Sequence, residues 1–128
     1  MRSRILALFT RVPLAAALAV ALLAFAAPAR AELSLLMFER DGCPYCRQWD
    51  REIAPIYGKT PEGQSAPLTR LDIHEPLPDG VTVDRAPQFT PTFVLLEDGV
   101  EVGRIEGYPG DAFFWALLDG LIAETERD

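Results

Sequence analysis

Leu33-Ser34-Leu35-Leu36-Met37-Phe38-Glu39-Arg40-Asp41-Gly42-Cys43-Pro44-Tyr45-Cys46-Arg47-Gln48-Trp49 is the stretch on which the fold turns. Leu33 to Phe38 is short and nearly all apolar, the pattern of a central strand buried on both faces. Asp41 and Gly42 end it. From Pro44 the period becomes helical, with Trp49, Ile53 and Ile56 on one side and Arg47, Asp50, Arg51 and Glu52 around them. Pro44 suits the first turn of a helix, and Pro55 should kink or end that helix near Ala54. A strand hands over to a helix, and two cysteines sit at the handover.

Working outward, Gly58 to Ala66 reads as a polar loop and Pro67 to Ile73 as a second strand with Leu68, Leu71 and Ile73 as its apolar residues. Glu75 to Phe89 contains Pro76, Pro78, Gly80 and Pro87 and should be mostly irregular. Thr92 to Leu96 is a β-branched and apolar strand. Glu97-Asp98-Gly99 is a hairpin signal, after which Val100 to Ile105 returns as a strand with Val100, Val102 and Ile105 as its apolar positions. Gly107 to Gly110 breaks the chain. Phe114, Leu117, Leu118, Leu121 and Ile122 then recur at helical spacing, an amphipathic helix that packs on the sheet. The order β-α-β-(loop)-β-β-α makes the first two strands parallel, because a helix joins them, and the last two antiparallel. The expected fold class is α/β, a four-stranded mixed sheet with helices on its faces.

The chain has two cysteines, and both lie in one C-x-x-C. A structural disulfide stabilises more as the loop it closes grows, so a two-residue spacer is poorly placed for stability and well placed for chemistry. A zinc site would need two more ligands, and His74 is the only further soft one. Cys43 falls at or just before the helix start, where free N–H groups and the helix dipole favour an anion. The thiolate is the attacking species, so this position raises reactivity. Cys46 lies about one turn on, on the same side, within reach of the Cys43 sulfur. Cys43 is therefore the candidate nucleophile, and Cys46 the thiol that resolves a mixed disulfide from within. Two other readings use the same pair without turnover: a copper carrier, which the lack of methionines or a second histidine near the site disfavours, and a redox sensor.

The first 31 residues have the order of a secretory signal peptide. Arg2, Arg4 and Arg11 are followed by the uncharged run Val12 to Ala27, then by Pro28 and Ala29-Arg30-Ala31, an A-x-A pattern that places cleavage before Glu32. The other reading is an uncleaved N-terminal anchor facing the periplasm, although ~16 residues is short for a span. Residues 1–31 are thus set apart as a leader and 32–128 as one domain, with room for one modest core. Of the chain's 12 lysines and arginines four lie in the leader, which leaves 8 basic against 19 acidic residues in the domain, a net charge of about −11. Such a surface repels nucleic acid and anionic lipid.

Thr90-Pro91-Thr92 lies well downstream of the cysteines, with its proline directly before a strand. On physical grounds this proline is either cis, as only X-Pro bonds readily are, or an ordinary trans proline at a strand start. Among the remaining aromatic and titratable residues, Trp49 reads as core, Tyr45 as exposed between the cysteines, His74 as a loop residue, and Phe113 and Trp115 as edge packing.

Together, Met37-Phe38, Cys43-Pro44-Tyr45-Cys46, Thr90-Pro91-Thr92, the turn Asp98-Gly99 and Gly107 before the last helix resemble the thioredoxin superfamily over nearly all of Leu33 to Ile122. The resemblance implies the minimal thioredoxin fold and thiol–disulfide oxidoreductase activity. It also implies a cis Pro91 facing the cysteine pair, with Thr90 offering backbone groups to an extended substrate segment beside Tyr45. Cys-Pro-Tyr-Cys is the glutaredoxin form of the motif. A glutathione site should show basic groups by the cysteines, and only Arg40 and Arg47 are close. A narrower resemblance is to the small periplasmic thioredoxin-like proteins of bacterial sulfur-oxidation clusters. It is carried by Gly42 to Cys46 with Trp49 and Glu52-Ile53, by Leu71-Asp72-Ile73-His74 and by Gly103 to Tyr108. It implies a reductant that keeps the thiol of a dedicated protein active, such as that of a sulfur-carrier protein. An oxidising periplasm in turn requires an electron donor for Cys43, expected to be a membrane thiol-electron donor. The domain is expected to be a monomer that uses no cofactor or metal. One position departs from the family. Thioredoxins carry a buried carboxylate six residues before the first cysteine, and here that residue is Met37. Glu39 falls on the same face by strand alternation. It either substitutes as proton acceptor for Cys46 or is a solvated strand-end acid.

Overall fold

The computed structural model describes residues 29–127. The leader, its cleavage site and the anchor alternative fall on residues 1–31, almost wholly outside the described residues. Among the described residues no helix is long and apolar enough to cross a membrane.

Among the described residues four strands form one sheet in the order β2-β1-β3-β4: β1 Leu33–Glu39, β2 Leu68–Asp72, β3 Thr92–Glu97 and β4 Val100–Glu106. β1 pairs parallel to β2 and antiparallel to β3, and β3 pairs antiparallel to β4. β1 is central and buried on both faces: Leu35 and Met37 point into one core, Leu36 and Phe38 into the other. Helix α1 runs Pro44–Glu52, a short α2 Ala54–Tyr57 and the C-terminal α4 Asp111–Thr125. Pro55, without an N–H to donate, sits in the first turn of α2, and the chain bends at Ile53, whose N–H still reaches Trp49 O at 2.8 Å.

Three features correct the sequence reading. Gly58 to Ala66 is not all loop, because Pro61–Ser65 forms the short helix α3. Thr60 caps it by accepting from the Gly63 N–H at 3.1 Å, and Pro61 begins it. In β4, Val100 and Val102 are exposed, and Glu101 turns inward instead. A bulge causes this: Leu95 faces Gly103 and Leu96 faces Glu101, so Val102 is left over and the inside–outside alternation is broken. In α4 the buried residues are Phe114, Leu118 and Ile122, and Leu117 is exposed. At about 100° per residue, Leu117 lies roughly 100° from the centre of that face. Phe113 is likewise exposed, whereas Trp115 stacks on Tyr57 with ring centroids 5.9 Å apart.

Among the described residues, the helices' buried apolar side chains lie in the core on one face of the sheet, where Trp49 packs against Tyr57, Phe93 and Phe114. The opposite face, with Leu36, Phe38, Val94 and Leu96, is covered by Leu71 and by Val81 and Val83 of the long loop. Helices on a single face, and a loop on the other, is the finer arrangement that the pattern of elements leaves open.

Candidate active site

The site is assembled at the C-terminal end of β1. The turn Arg40-Asp41-Gly42 needs a positive φ at Gly42, +76°, which glycine adopts without a Cβ penalty. Cys43 follows in extended conformation as the N-cap of α1, and its Sγ accepts from the Cys46 N–H at 3.1 Å. An N–H aimed at Sγ from a helix start would donate equally to a thiolate. Cys43 and Cys46 are joined as a disulfide with Cα atoms 5.3 Å apart, and both are buried at the rim of the aromatic core.

Two openings flank the pair. On one side is a groove of about 420 Å³ lined by Tyr45, Phe89, Thr90, Glu106 and Gly107. Tyr45 is 59 % and Phe89 62 % exposed, so two large apolar side chains stand in water beside the cysteines. The Thr90–Pro91 peptide bond is cis. Pro91 O accepts from the Gly107 N–H at 2.7 Å, and the Thr92 hydroxyl donates to Phe89 O at 2.7 Å. These bonds fix the segment from Phe89 to Thr92 against the end of β4. Tyr108, next to Gly107, donates its hydroxyl to Glu52 at 2.5 Å and ties this corner to the end of α1. Burial and that bond both push the Tyr108 pKa up, and the same bond, helped by Gln48, holds Glu52 below the usual carboxylate range.

On the other side is a charged cavity of about 340 Å³ that reaches both cysteines. Glu39 lines it but is not solitary. Arg70, on β2, donates to it through Nε, 3.1 Å from each carboxylate oxygen, and through Nη2. Arg70 Nη2 also lies 2.8 Å from Asp50 Oδ1, and its guanidinium sits 5.8 Å above the Trp49 ring. The bond to Glu39 is the largest of the effects that raise the Arg70 pKa. Met37 is fully buried under α1, and Trp49 is fully buried core. His74 lies in the exposed turn after β2, held by Asp72. Arg40 and Arg47 line the same cavity beside Cys43.

The structure thus brings Cys43, Cys46 and Glu39 to one opening, and Tyr45 and Thr90 to the other. Sequence reasoning missed Arg70 and Asp50, whose meeting depends on β2 lying beside β1. It also missed Phe89, for which a large apolar residue directly before Thr90-Pro91 was the available signal.

A redox-active cysteine pair at the start of the first helix of this sheet defines a thioredoxin-like thiol–disulfide oxidoreductase. The chain belongs to the thioredoxin-like domain family, whose model matches residues 24–122. Among solved structures it is similar to the periplasmic thioredoxin SoxS from Paracoccus pantotrophus in its reduced form. That match has 55% identity and a TM-score of 0.72, and covers 73% of this chain and 99% of that one. It also matches the thioredoxin of Fasciola hepatica at 20% identity and a TM-score of 0.50, covering 69% of this chain and 79% of that one, a likeness of fold. Comparison with curated proteins gives no match.

Proposed function

We propose that this chain is an exported reductant that acts in the periplasm on the disulfide or blocked thiol of a dedicated protein partner. The observation that carries the reading is Cys43 at the N-cap of α1, with an N–H aimed at its sulfur and an open groove beside it. The 55% identity to a periplasmic thioredoxin and the leader-like first 31 residues support the compartment. In the dithiol form the Cys43 thiolate attacks one sulfur of the partner disulfide. The partner's other sulfur leaves as a thiolate, and Cys43 is joined to the partner. Cys46 then attacks Cys43 Sγ, which closes the observed pair and frees the partner reduced by two electrons. Thr90 and the exposed rings of Tyr45 and Phe89 seat an extended partner segment in the groove. A sulfur-carrier protein is the partner that the narrower resemblance favours, with a membrane thiol donor returning electrons to the pair.

Trapping tests this directly. Cys46→Ala should accumulate a mixed disulfide with the partner in a periplasmic extract, released by dithiothreitol, and Cys43→Ser should neither trap nor turn over. If Cys46→Ala captures nothing and the wild-type dithiol fails to reduce a disulfide-bonded reporter protein, the exchange reading is wrong.

A further inference from the structure

Resting on that exchange reading, we propose that Asp50, oriented by Arg70, is the proton acceptor for the resolving thiol of Cys46. It would do what a carboxylate at position 37 would otherwise do. Met37 is sealed in the core, so any acceptor must come from the cavity that Cys46 shares. Besides Asp50, the charged groups facing it are Glu39, Arg40 and Asp41 from the β1 end, Arg47 from α1, and Arg70 and Asp72 from β2. Glu39 is the acid that strand alternation nominates, yet both its oxygens are taken by the Arg70 guanidinium. Protonating Glu39 would break that paired arrangement. Asp72 is held by the backbone N–H of His74 at 2.8 Å and by its ring at 3.0 Å, which lowers its affinity for a proton.

Asp50 is placed differently. It follows Cys46 by four residues on α1, so the two side chains occupy one helix face a turn apart. Its Oδ1 is buried and lies 2.8 Å from Arg70 Nη2, a single contact that occupies at most one of the two lone pairs of that oxygen and leaves the other open. Two carboxylates share one guanidinium, which leaves this cluster one negative charge in excess. A proton arriving on Asp50 removes that excess and leaves the Glu39–Arg70 pair intact. In the resolving step the Cys46 thiol therefore gives its proton to Asp50 Oδ1, and the resulting thiolate attacks Cys43 Sγ. The Cys43–partner bond breaks, and the partner leaves as a thiolate. Asp50 then returns the proton to solvent through the open cavity. Arg70 is a positioning residue, fixing Asp50 from the neighbouring strand β2 on the same face of the sheet.

Reaction of the dithiol protein with an aromatic disulfide that releases a coloured thiolate separates the two steps. The first release reports attack by Cys43, and the second reports resolution by Cys46. Asp50→Asn should slow the second release about 100-fold at neutral pH, in the range that loss of a positioned base produces. It should leave the first release within about twofold, which also shows that the variant is folded. The deficit should shrink as pH rises, because hydroxide takes over the proton, and Asp50→Glu should recover part of it. Glu39→Gln should slow the second release less than Asp50→Asn. In a Cys43→Ser background, adding Asp50→Asn should move the Cys46 thiolate absorbance to lower pH, since a neighbouring anion is gone. A second release at the wild-type rate, a deficit that does not depend on pH, a larger loss in Glu39→Gln or an unmoved absorbance overturns the assignment. A wild-type protein that releases neither thiolate defeats the exchange reading itself.

Discussion

The two faces of the sheet are built from the same strands and closed by different means. On the helix-covered face, Trp49, Phe93, Phe114, Tyr57 and Tyr108 pack ring against ring, and the cysteine pair sits at the rim of that cluster. On the loop-covered face the partly buried apolar side chains packed against the four buried ones are, among the described residues, Leu71, Val81 and Val83. Its far edge is closed by an ion pair instead. Glu101 and Arg104, 3 % and 8 % exposed at their side chains, join through Arg104 Nε and Nη2 at 2.6 and 2.7 Å. The loop is fastened to the same carboxylate, because the Asp84 N–H donates to Glu101 Oε2 at 2.7 Å. Ring packing is thus concentrated under the cysteine pair, and the far face is fastened at its edge by a few polar ties.

That contrast breaks first at Trp49. Trp49→Ala removes the ring that touches Tyr57, Phe93 and Phe114 and supports the Arg70 guanidinium. The expected loss is about 3–5 kcal/mol, the range for large-to-small changes in a packed core. Urea unfolding of the oxidised protein measures it. The two faces would have to be regarded as equivalent if the loss were no larger than that of the changes on the loop side described below.

The second test is Glu101→Ala. It leaves Arg104 buried without its main partner and frees the Asp84 N–H, for an expected cost of about 3 kcal/mol. Adding Arg104→Met should recover much of that loss, since the uncompensated charge is then gone. The pH dependence carries a sign. Burial pushes the Glu101 carboxyl up, but the bonds from Arg104 and the Asp84 N–H outweigh it and hold its pKa below 4.5. A carboxyl depressed in the folded state contributes stability above its unfolded pKa and loses it as pH falls through the folded one. The gap between wild type and Glu101→Ala should therefore be full at neutral pH and close progressively below about pH 4.5. Unfolding curves with a constant gap from pH 7 to pH 3 would show that the carboxylate is not what ties the loop.

The difference between the faces also explains what could be read in the sequence. The helix-covered side is carried by strong periodic patterns, the apolar run of β1 and the helical spacing from Pro44, so its elements and the place of the cysteines were legible. The loop-covered side has no period. Whether Val100 or Glu101 faces inward is decided by a one-residue bulge opposite Leu95 and Leu96, and a run that alternates on both sides of a bulge does not announce it. Helix α3 is five residues long, too short to show a period, although Thr60-Pro61-Glu62 carried its capping signal. Within the site, Cys43, Cys46, Tyr45 and Thr90 were nominated by motif, whereas Arg70 and Asp50 come together only because β2 pairs with β1 at Met37 and Arg70. Contacts of that kind depend on register, which one sequence does not display.

The smallest expected effect lies in the loop. Val83 is half-buried against Leu36, Phe38, Val94 and Leu96, one residue from the bond that Thr82 makes to Gly99 O at 2.9 Å. Val83→Ala removes two methyl groups from a contact that is already partly wet, so it should cost about 0.5–1 kcal/mol, below the range of fully enclosed sites. Because β3 and β1 separate this patch from the cysteines, the rates of both thiolate releases should stay at wild-type values. A loss near that of Trp49→Ala would mean that the loop is as firmly packed as the helices. A slowed Cys43 reaction at unchanged stability would mean instead that the two faces communicate through Phe38 and Val94, and the division between a ring-packed redox face and a lightly sealed far face would have to be abandoned.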